Sequence, residues 1–277
     1  MTTKLVAACI QTNAGPEIEP NLQAIAPLIE DAAKRGAQLI TLPENVSLMI
    51  CGRDKLFARV SDEATHPAIT FFRNMAQKTG TWILAGSIAI HLGEDRLANR
   101  SFLFNPAGEI AARYDKIHMF DATISENESY RESSSYRGGD RAIVADTPWG
   151  KIGLTICYDV RFPHLHRALA KAGASLITAP AAFAASTGKM HWHVLLRARA
   201  IETGCFVIAP AQCGQHDGQR QTFGHSMIIG PSGQIIVEAG EEPGIIMAEL
   251  DLAEVEKNRR MLPCLEHDCV FTKPEIG

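Results

Sequence analysis

The run LVAACIQ, residues 5 to 11, is followed by Leu22, Ile25, Leu28, Ile29 and Ala32 at helical spacing, and then by a second apolar run, QLITLPE, residues 38 to 44. A short continuous apolar run reads as a buried strand, and apolar residues three and four apart read as a helix closed here by Gly36. The chain therefore opens as β-α-β, which commits it to an α/β fold with helices laid over a sheet. The alternation recurs in a helix around 66–79, a strand over 82–90, a helix near 163–172, a strand over 175–180, a helix across MHWHVLLRARAIETG stopped by Gly204, and a strand over 205–210.

Three further segments, SFLFNPAGEIAARYDK, DTPWGKIGLTICYD and IIGPSGQIIVEA, place Pro-x-Gly between apolar runs. That is the chemistry of hairpins, so the sheets must be mixed. No repeat, low-complexity tract or linker-like shift in composition divides the chain, and a single domain over 1–277 is expected. Residues 45–62 and 121–140 read as irregular.

Composition narrows the function. The 277 residues carry a formal charge of −4 and a pI near 6.2, which supplies no general attraction to phosphate backbones or anionic lipid. Nucleic acid and membranes are not expected partners. Seven cysteines are scattered without a C-x-x-C pair, which fits reduced thiols in the cytoplasm and not a disulfide scaffold. The apolar patch at the N-terminus runs into Gln11, Thr12 and Asn13 and reads as a first strand, not a signal segment.

Ligands of open α/β sheets collect beyond the carboxyl ends of strands. Glu44, Lys116 and Cys157 each follow an apolar run at such an end. A lone cysteine is commonly an inert core residue, and a lone Glu or Lys commonly a solvated loop charge. Cys157 differs because Tyr158, Asp159 and Arg161 follow it at once. A thiol needs a base or a cation beside it to attack at neutral pH; a carboxylate such as Glu44 can shuttle the proton, and an ammonium such as Lys116 can hold charge developing on a carbonyl oxygen. The residues alone reach a possible Cys-dependent acyl transfer.

The motifs LPEN (42–45), YDKIHMFD (114–121) and GLTICYDVRFP (153–163), in that order, resemble the glutamate, lysine and cysteine boxes of the nitrilase superfamily of carbon-nitrogen hydrolases. HWHVLLRARAIETGCFVIAPAQCG and FGHSMIIGPSGQII are similar to its deaminated glutathione amidase branch, next to the ω-amidases. The resemblance implies a four-layer α-β-β-α sandwich of two mixed sheets, assembly as a homodimer or larger homo-oligomer, and no cofactor or metal. It makes Cys157 the nucleophile, Glu44 the general base, Lys116 the oxyanion stabiliser and the Tyr158 N–H a second oxyanion donor. Glu132 matches the family's second glutamate, with Glu126 and Glu128 as rivals. The implied substrate is a small amide with a carboxylate or keto-acid end. Arg161 is the candidate anchor for that carboxylate, with an ion pair to Asp159 as the alternative, and Phe183 and Thr187 are candidate pocket residues.

Other readings have specific carriers. The same triad can serve a plain ω-amide, an N-carbamoyl amino acid or a nitrile, and the fold can also persist as a silent scaffold. GHSMI (224–228) touches the serine-hydrolase elbow but lacks its final glycine. The HLH (164–166) and HWH (191–193) pairs place histidines at i,i+2, on different helix faces, which does not favour metal.

Overall fold

A computed structural model describes residues 4–93, 95–126, 128–218 and 220–272. Strand β1 (Lys4–Gln11) shows how the layers are built. Its Leu5, Ala7 and Cys9 point to one core and its Ala8 and Ile10 to another, the two-residue period of a strand buried on both faces. Helix α1 (Ile18–Lys34) covers the second face with Leu22, Ile25, Ile29 and Ala32, the residues whose spacing marks the helix.

β2 (Leu39–Thr41) is followed by the short helix α2 (Arg53–Phe57), helix α3 (Pro67–Thr79), and strands β3 (Trp82–Leu84), β4 (Ile88–His91), β5 (Leu97–Phe104) and β6 (Ile110–Asp115). A hairpin of β7 (Asp121–Ser125) and β8 (Glu128–Arg131) leads to β9 (Ile143–Thr147), β10 (Gly150–Leu154), α4 (Pro163–Lys171), β11 (Ala174–Thr178) and α5 (Ala185–Thr203). The rest comprises β12 (Phe206–Ala209), β13 (Cys213–Gln215), β14 (Gln221–Phe223), β15 (Met227–Ile229), β16 (Ile235–Glu238), β17 (Gly244–Asp251) and α6 (Ala253–Met261).

The first sheet runs β17-β1-β2-β3-β5-β4 with β6 added on β5, and the second runs β16-β15-β12-β11-β10-β9. Both are mixed: β1-β2-β3 and β10-β11-β12 are parallel, and the three Pro-x-Gly turns close the antiparallel pairs β5–β6, β9–β10 and β15–β16. The sheets meet through Leu5, Leu39 and Leu103 on one side and Ile152, Leu154 and Val207 on the other. Helices α1 and α3 lie outside the first sheet, and α4 outside the second, where Leu165 and Leu169 pack on Ala174. The result is the expected α-β-β-α arrangement.

Two departures from the sequence pattern bear on function. The 121–140 segment holds the β7–β8 hairpin, whose residues alternate exposed and half-buried and so present no apolar run to read. The single strand expected over 82–90 is broken at Ala85–Ser87, although β3 and β4 both pair with β5. The break is steric: Gly86 has φ +31°, and a Cβ there would lie 1.9 Å from the Pro43 carbonyl oxygen and 2.2 Å from that of Leu42. Ser87 then clamps the same turn, its N–H donating to Pro43 O at 3.2 Å and its Oγ accepting from Asn45 N at 3.0 Å. This close approach fixes the turn that carries Glu44.

Gly86→Ala is expected to destabilise the protein by about 3 kcal/mol or more, because a backbone clash is added to an unfavourable φ. Gly80→Ala, also at positive φ (+65°) but with nothing within 4 Å of the new Cβ, should cost only about 1 kcal/mol. Urea midpoints for the two variants provide the check, and equal losses would refute the steric account.

Candidate active site

The second sheet delivers Cys157. β10 ends at Leu154, and its extension stays tied to the neighbouring strand through Thr155 N to Thr178 O (3.1 Å) and Cys157 N to Pro180 O (2.9 Å). Cys157 then opens a 3₁₀ turn through Arg161 with φ +47°, a left-handed conformation that costs a non-glycine residue of order 1 kcal/mol or more. Asp159, fully buried, holds the turn: its Oδ2 accepts from Ile156 N (2.9 Å) and the Tyr114 hydroxyl (2.7 Å), while Oδ1 accepts from His118 N (3.1 Å) and lies 2.7 Å from His118 Nδ1. Since Tyr114 and His118 flank Lys116, one carboxylate stitches the lysine segment to the cysteine turn.

The first sheet delivers the charged partners. Lys116 directly follows β6, and its N–H is held by Asn99 O at 2.9 Å. Its Nζ donates to Glu44 Oε1 at 2.8 Å and to both oxygens of Glu132 at 3.0 and 2.8 Å. Asn99 Nδ2 bridges the same two carboxylates, at 2.9 Å to Glu44 and 3.1 Å to Glu132. The other oxygen of Glu44 accepts from Ala182 N at 2.8 Å, and Glu132 Oε2 accepts from Phe120 N at 2.6 Å. Glu44 and Lys116 are each only 2% exposed and Cys157 7%. Glu132, not its rivals, sits in this cluster: Glu128 is bound by the Tyr130 and Ser186 hydroxyls, and Glu126 is exposed.

Proton positions follow from the surroundings. Burial pushes the Cys157 thiol well above its ordinary range, and the adjacent Glu44 carboxylate adds to this against the pull of Lys116. Burial also opposes the Glu44 anion, but the Lys116 ammonium and a hydrogen bond with Cys157 outweigh it and hold the carboxyl below its usual value. Burial opposes the Lys116 cation too, and the charges of Glu132 and Glu44 overcome it, leaving that ammonium well above its normal range. The resting centre is thus a thiol beside a carboxylate base, with an ammonium fixed between two carboxyl groups.

The centre opens into a pocket of about 230 Å³ whose lining includes Tyr158, Arg161, Phe183 and Thr187. Phe183 is buried in the core and also forms part of the pocket wall. Arg161 does not pair with Asp159, whose oxygens are taken by Ile156, Tyr114 and His118. Its guanidinium instead stands 5.1 Å from the Phe183 ring centre and 5.8 Å from that of Tyr158, with Nη1 3.3 Å from His191 Nδ1 and a buried Nε that has no hydrogen-bond partner among the described residues. Asn99, Ala182 and Arg220 belong to this neighbourhood and carried no signal as site residues in the sequence, while Asp159, considered there only as a polar neighbour of Cys157 and a partner for Arg161, holds the cysteine turn. Asn99 shows in the sequence only as a polar residue inside the apolar run LANRSFLF.

The competing motifs find other employment. Ser226 is fully buried, its Oγ accepting from Ala211 N and donating to Gln11 Oε1. His193 leaves its HWH partner and, with His225, contacts Glu238 Oε1 at 2.8 and 2.7 Å, an acidic partner that local spacing could not show. Cys9, Cys205 and Cys213 are buried in the core, and burial pushes the Cys9 thiol up to about 12.

A two-sheet α/β sandwich with a buried cysteine, carboxylate and ammonium around one pocket defines a hydrolase of the nitrilase type. Residues 6–260 match the carbon-nitrogen hydrolase family. The chain is 40% identical over 269 residues to a deaminated glutathione amidase of Synechocystis, covering 95% of this chain and 97% of that one. It superposes on the C. elegans NitFhit protein with a TM-score of 0.88 at 34% identity, covering 96% of this chain and 65% of that chain. A Nesterenkonia amidase of the nitrilase superfamily, solved as a glutamate-to-glutamine mutant with acrylamide added at its active-site cysteine, matches at TM-score 0.79 and 28% identity over 94% of this chain and 98% of that one. The chain belongs to the carbon-nitrogen hydrolase family of the nitrilase superfamily, and its activity is hydrolysis of a carbon-nitrogen bond other than a peptide bond.

The proton arrangement has a measurable signature. With Glu44 ionised below its usual range and the thiol protonated above its own, one proton is shared between them across the intervening pH span. Alkylation of Cys157 by iodoacetamide, followed by mass spectrometry, should be flat from about pH 6 to 9 and fall only on acidification, as Glu44 gains a proton. A free thiol would instead speed up about tenfold per pH unit below its pKa of about 8.5. Glu44→Gln should restore that rise.

Proposed function

We propose that the protein is a Cys157-dependent amidase acting on an ω-amide with a keto-acid end, of the deaminated glutathione type. The observation that carries this reading is the Lys116 ammonium, bonded at 2.8 Å to Glu44 beside the Cys157 thiol. Cys157 Sγ attacks the amide carbonyl carbon while Glu44 takes the thiol proton. The oxyanion is held by Lys116 and by the N–H of Tyr158, which lies in the first turn of the 3₁₀ segment, where helix geometry leaves N–H groups without an internal acceptor. Glu44 returns the proton to the departing amine, the C–N bond breaks, and a thioester remains on Cys157. Water, deprotonated by Glu44, attacks the thioester carbonyl; the C–S bond breaks, the acid leaves, and Glu44 returns the proton to the Cys157 sulfur.

Glu132 and Asn99 set the position of Lys116 and Glu44 through their shared hydrogen bonds. Thr187 and Phe183 shape the acyl side of the pocket. Arg161, on the same turn as the nucleophile and without an acidic partner among the described residues, is suited to the carboxylate of a keto acid, which a guanidinium can hold through two bonds. The relative from Synechocystis, named for deaminated glutathione, supports this choice of acyl group. Seven unpaired cysteines support a reducing, cytoplasmic setting; among the described residues no helix is long and apolar enough to cross a membrane.

The test is turnover of deaminated glutathione, 2-oxoglutaramate, an N-carbamoyl amino acid and a nitrile, with Cys157→Ala as control. Deaminated glutathione should be preferred and the control inactive. A clear preference for the nitrile or the carbamoyl compound would overturn the substrate assignment. Lys116→Met should remain folded and lose roughly 10²–10³-fold in kcat, the usual effect of removing an oxyanion donor; a variant keeping most of its turnover would remove Lys116 from that role.

A further inference from the structure

Arg220 lines the same pocket as Cys157 from the opposite part of the sequence. Its Nη2 donates to Ala182 O at 3.1 Å, its guanidinium lies 5.3 Å from the Tyr130 ring centre, and its Nε is buried without a hydrogen-bond partner among the described residues. It pairs with no carboxylate among the described residues. The acids on the surrounding loops are engaged elsewhere: Glu128 by Tyr130 and Ser186, and Asp217 by the N–H of Cys51 at 2.9 Å. A partly desolvated guanidinium that its own chain leaves unpaired is costly unless a ligand supplies the anion.

The position of Arg220 says which half of a substrate carries that anion. Ala182 lies between it and the base: the Ala182 N–H donates to Glu44 Oε2 at 2.8 Å while its carbonyl accepts from Arg220. Arg220 also contributes to holding Glu44 ionised. Arg161, by contrast, rides on the turn that carries the nucleophile. Glu44 must face the departing nitrogen to protonate it, so a group anchored beside Glu44 belongs to the amine half.

We propose that Arg220 forms a second anion subsite, which binds a carboxylate on the leaving amine, so that the enzyme selects amides acidic at both ends: a keto acid on the acyl side and an amino acid or short peptide on the amine side. The inference rests on the amidase reading given above. Deaminated glutathione fits this class, because hydrolysis of its ω-amide releases cysteinylglycine with a free carboxylate. 2-Oxoglutaramate, which releases ammonia, leaves the subsite empty.

The experiment compares kcat/KM of the wild-type enzyme and Arg220→Gln on three substrates: deaminated glutathione, the same compound with its terminal carboxylate amidated, and 2-oxoglutaramate. Removing the carboxylate from the substrate should cost the wild type roughly 10- to 100-fold, the range for a hydrogen bond between charged groups. Arg220→Gln should show a similar loss on deaminated glutathione, expressed mainly in KM, and amidation should then add little. The selectivity for deaminated glutathione over 2-oxoglutaramate should fall by the same factor. The wild-type arm reads the subsite without any variant having to fold. If amidation costs the wild type nothing, or if the two changes simply multiply, the proposal is overturned; an equal loss on all three substrates would show that Arg220 acts only through Ala182 and Glu44. Failure of the amidase reading is distinguishable, since the wild type would then turn over none of the three.

Discussion

An ammonium almost wholly withdrawn from water and bound by two carboxyl groups is the interaction on which this centre depends. Removing Lys116 from solvent carries a penalty of several kcal/mol for an unpaired charge, and only close, well-aligned partners offset it. Glu44 and Glu132 provide them at 2.8 Å, with Asn99 fixing both carboxylates from the side. The pairing therefore keeps all three groups charged in a buried site. It also explains why the centre needs no histidine: Glu44 stays ionised in a dry site because Lys116 is there, and remains available to accept the proton of a thiol that burial keeps protonated.

The fold brings these groups together by placing two sheets face to face. Glu44 and Lys116 leave strands of the first sheet, and Cys157 leaves a strand of the second. Their alignment relies on contacts that cross between the sheets. Asp159 reaches from the cysteine turn to Tyr114 and His118 beside Lys116, and Ala182, beyond β11, reaches back to Glu44. The positive φ at Cys157 is maintained by this surrounding network, and it turns the backbone at the point where the apolar strand gives way to the pocket. Strain of this kind persists only where neighbours determine the geometry from several sides.

Much of the architecture was legible because burial on both faces leaves a plain mark: continuous apolar runs for central strands, three-four spacing for helices, and Pro-x-Gly for the hairpins. The β7–β8 hairpin was not, since its half-buried alternation of Thr, Ser, Glu and Tyr carries no apolar signal. The break at Gly86 was also hidden, because it arises from contact with Leu42 and Pro43, more than forty residues away. At the site, Glu44, Lys116 and Cys157 could be located as ionisable groups after apolar runs, but their mutual contact came from resemblance. Among the three nearby glutamates the resemblance pointed to Glu132, and the fold separates it from Glu126 and Glu128 by aiming it at Lys116. Arg220 had no local signature at all: the proposal for it rests on the absence of an acidic partner among the described residues, which becomes visible only when the surrounding loops are folded around it.

Charge separates the roles of surface and pocket. The chain carries a formal charge of −4, so its overall field would repel the anionic amide of the proposed reaction. Within the pocket, Glu44 and Glu132 add negative charge beside Cys157, countered chiefly by the Lys116 ammonium and, at Glu44, also by Arg220. Attraction for carboxylates must then come from short-range donors that the chain's own carboxylates leave unpaired, and Arg161 beside Tyr158 and Phe183 meets that condition among the described residues. Aromatic walls help here by excluding water without competing for the guanidinium's hydrogen bonds, which strengthens its contact with an arriving anion. The same physics that makes Lys116 require carboxylates from its own chain makes Arg161 suited to one supplied by substrate: a partly desolvated cation is completed by an anion, and the difference lies only in which molecule provides it.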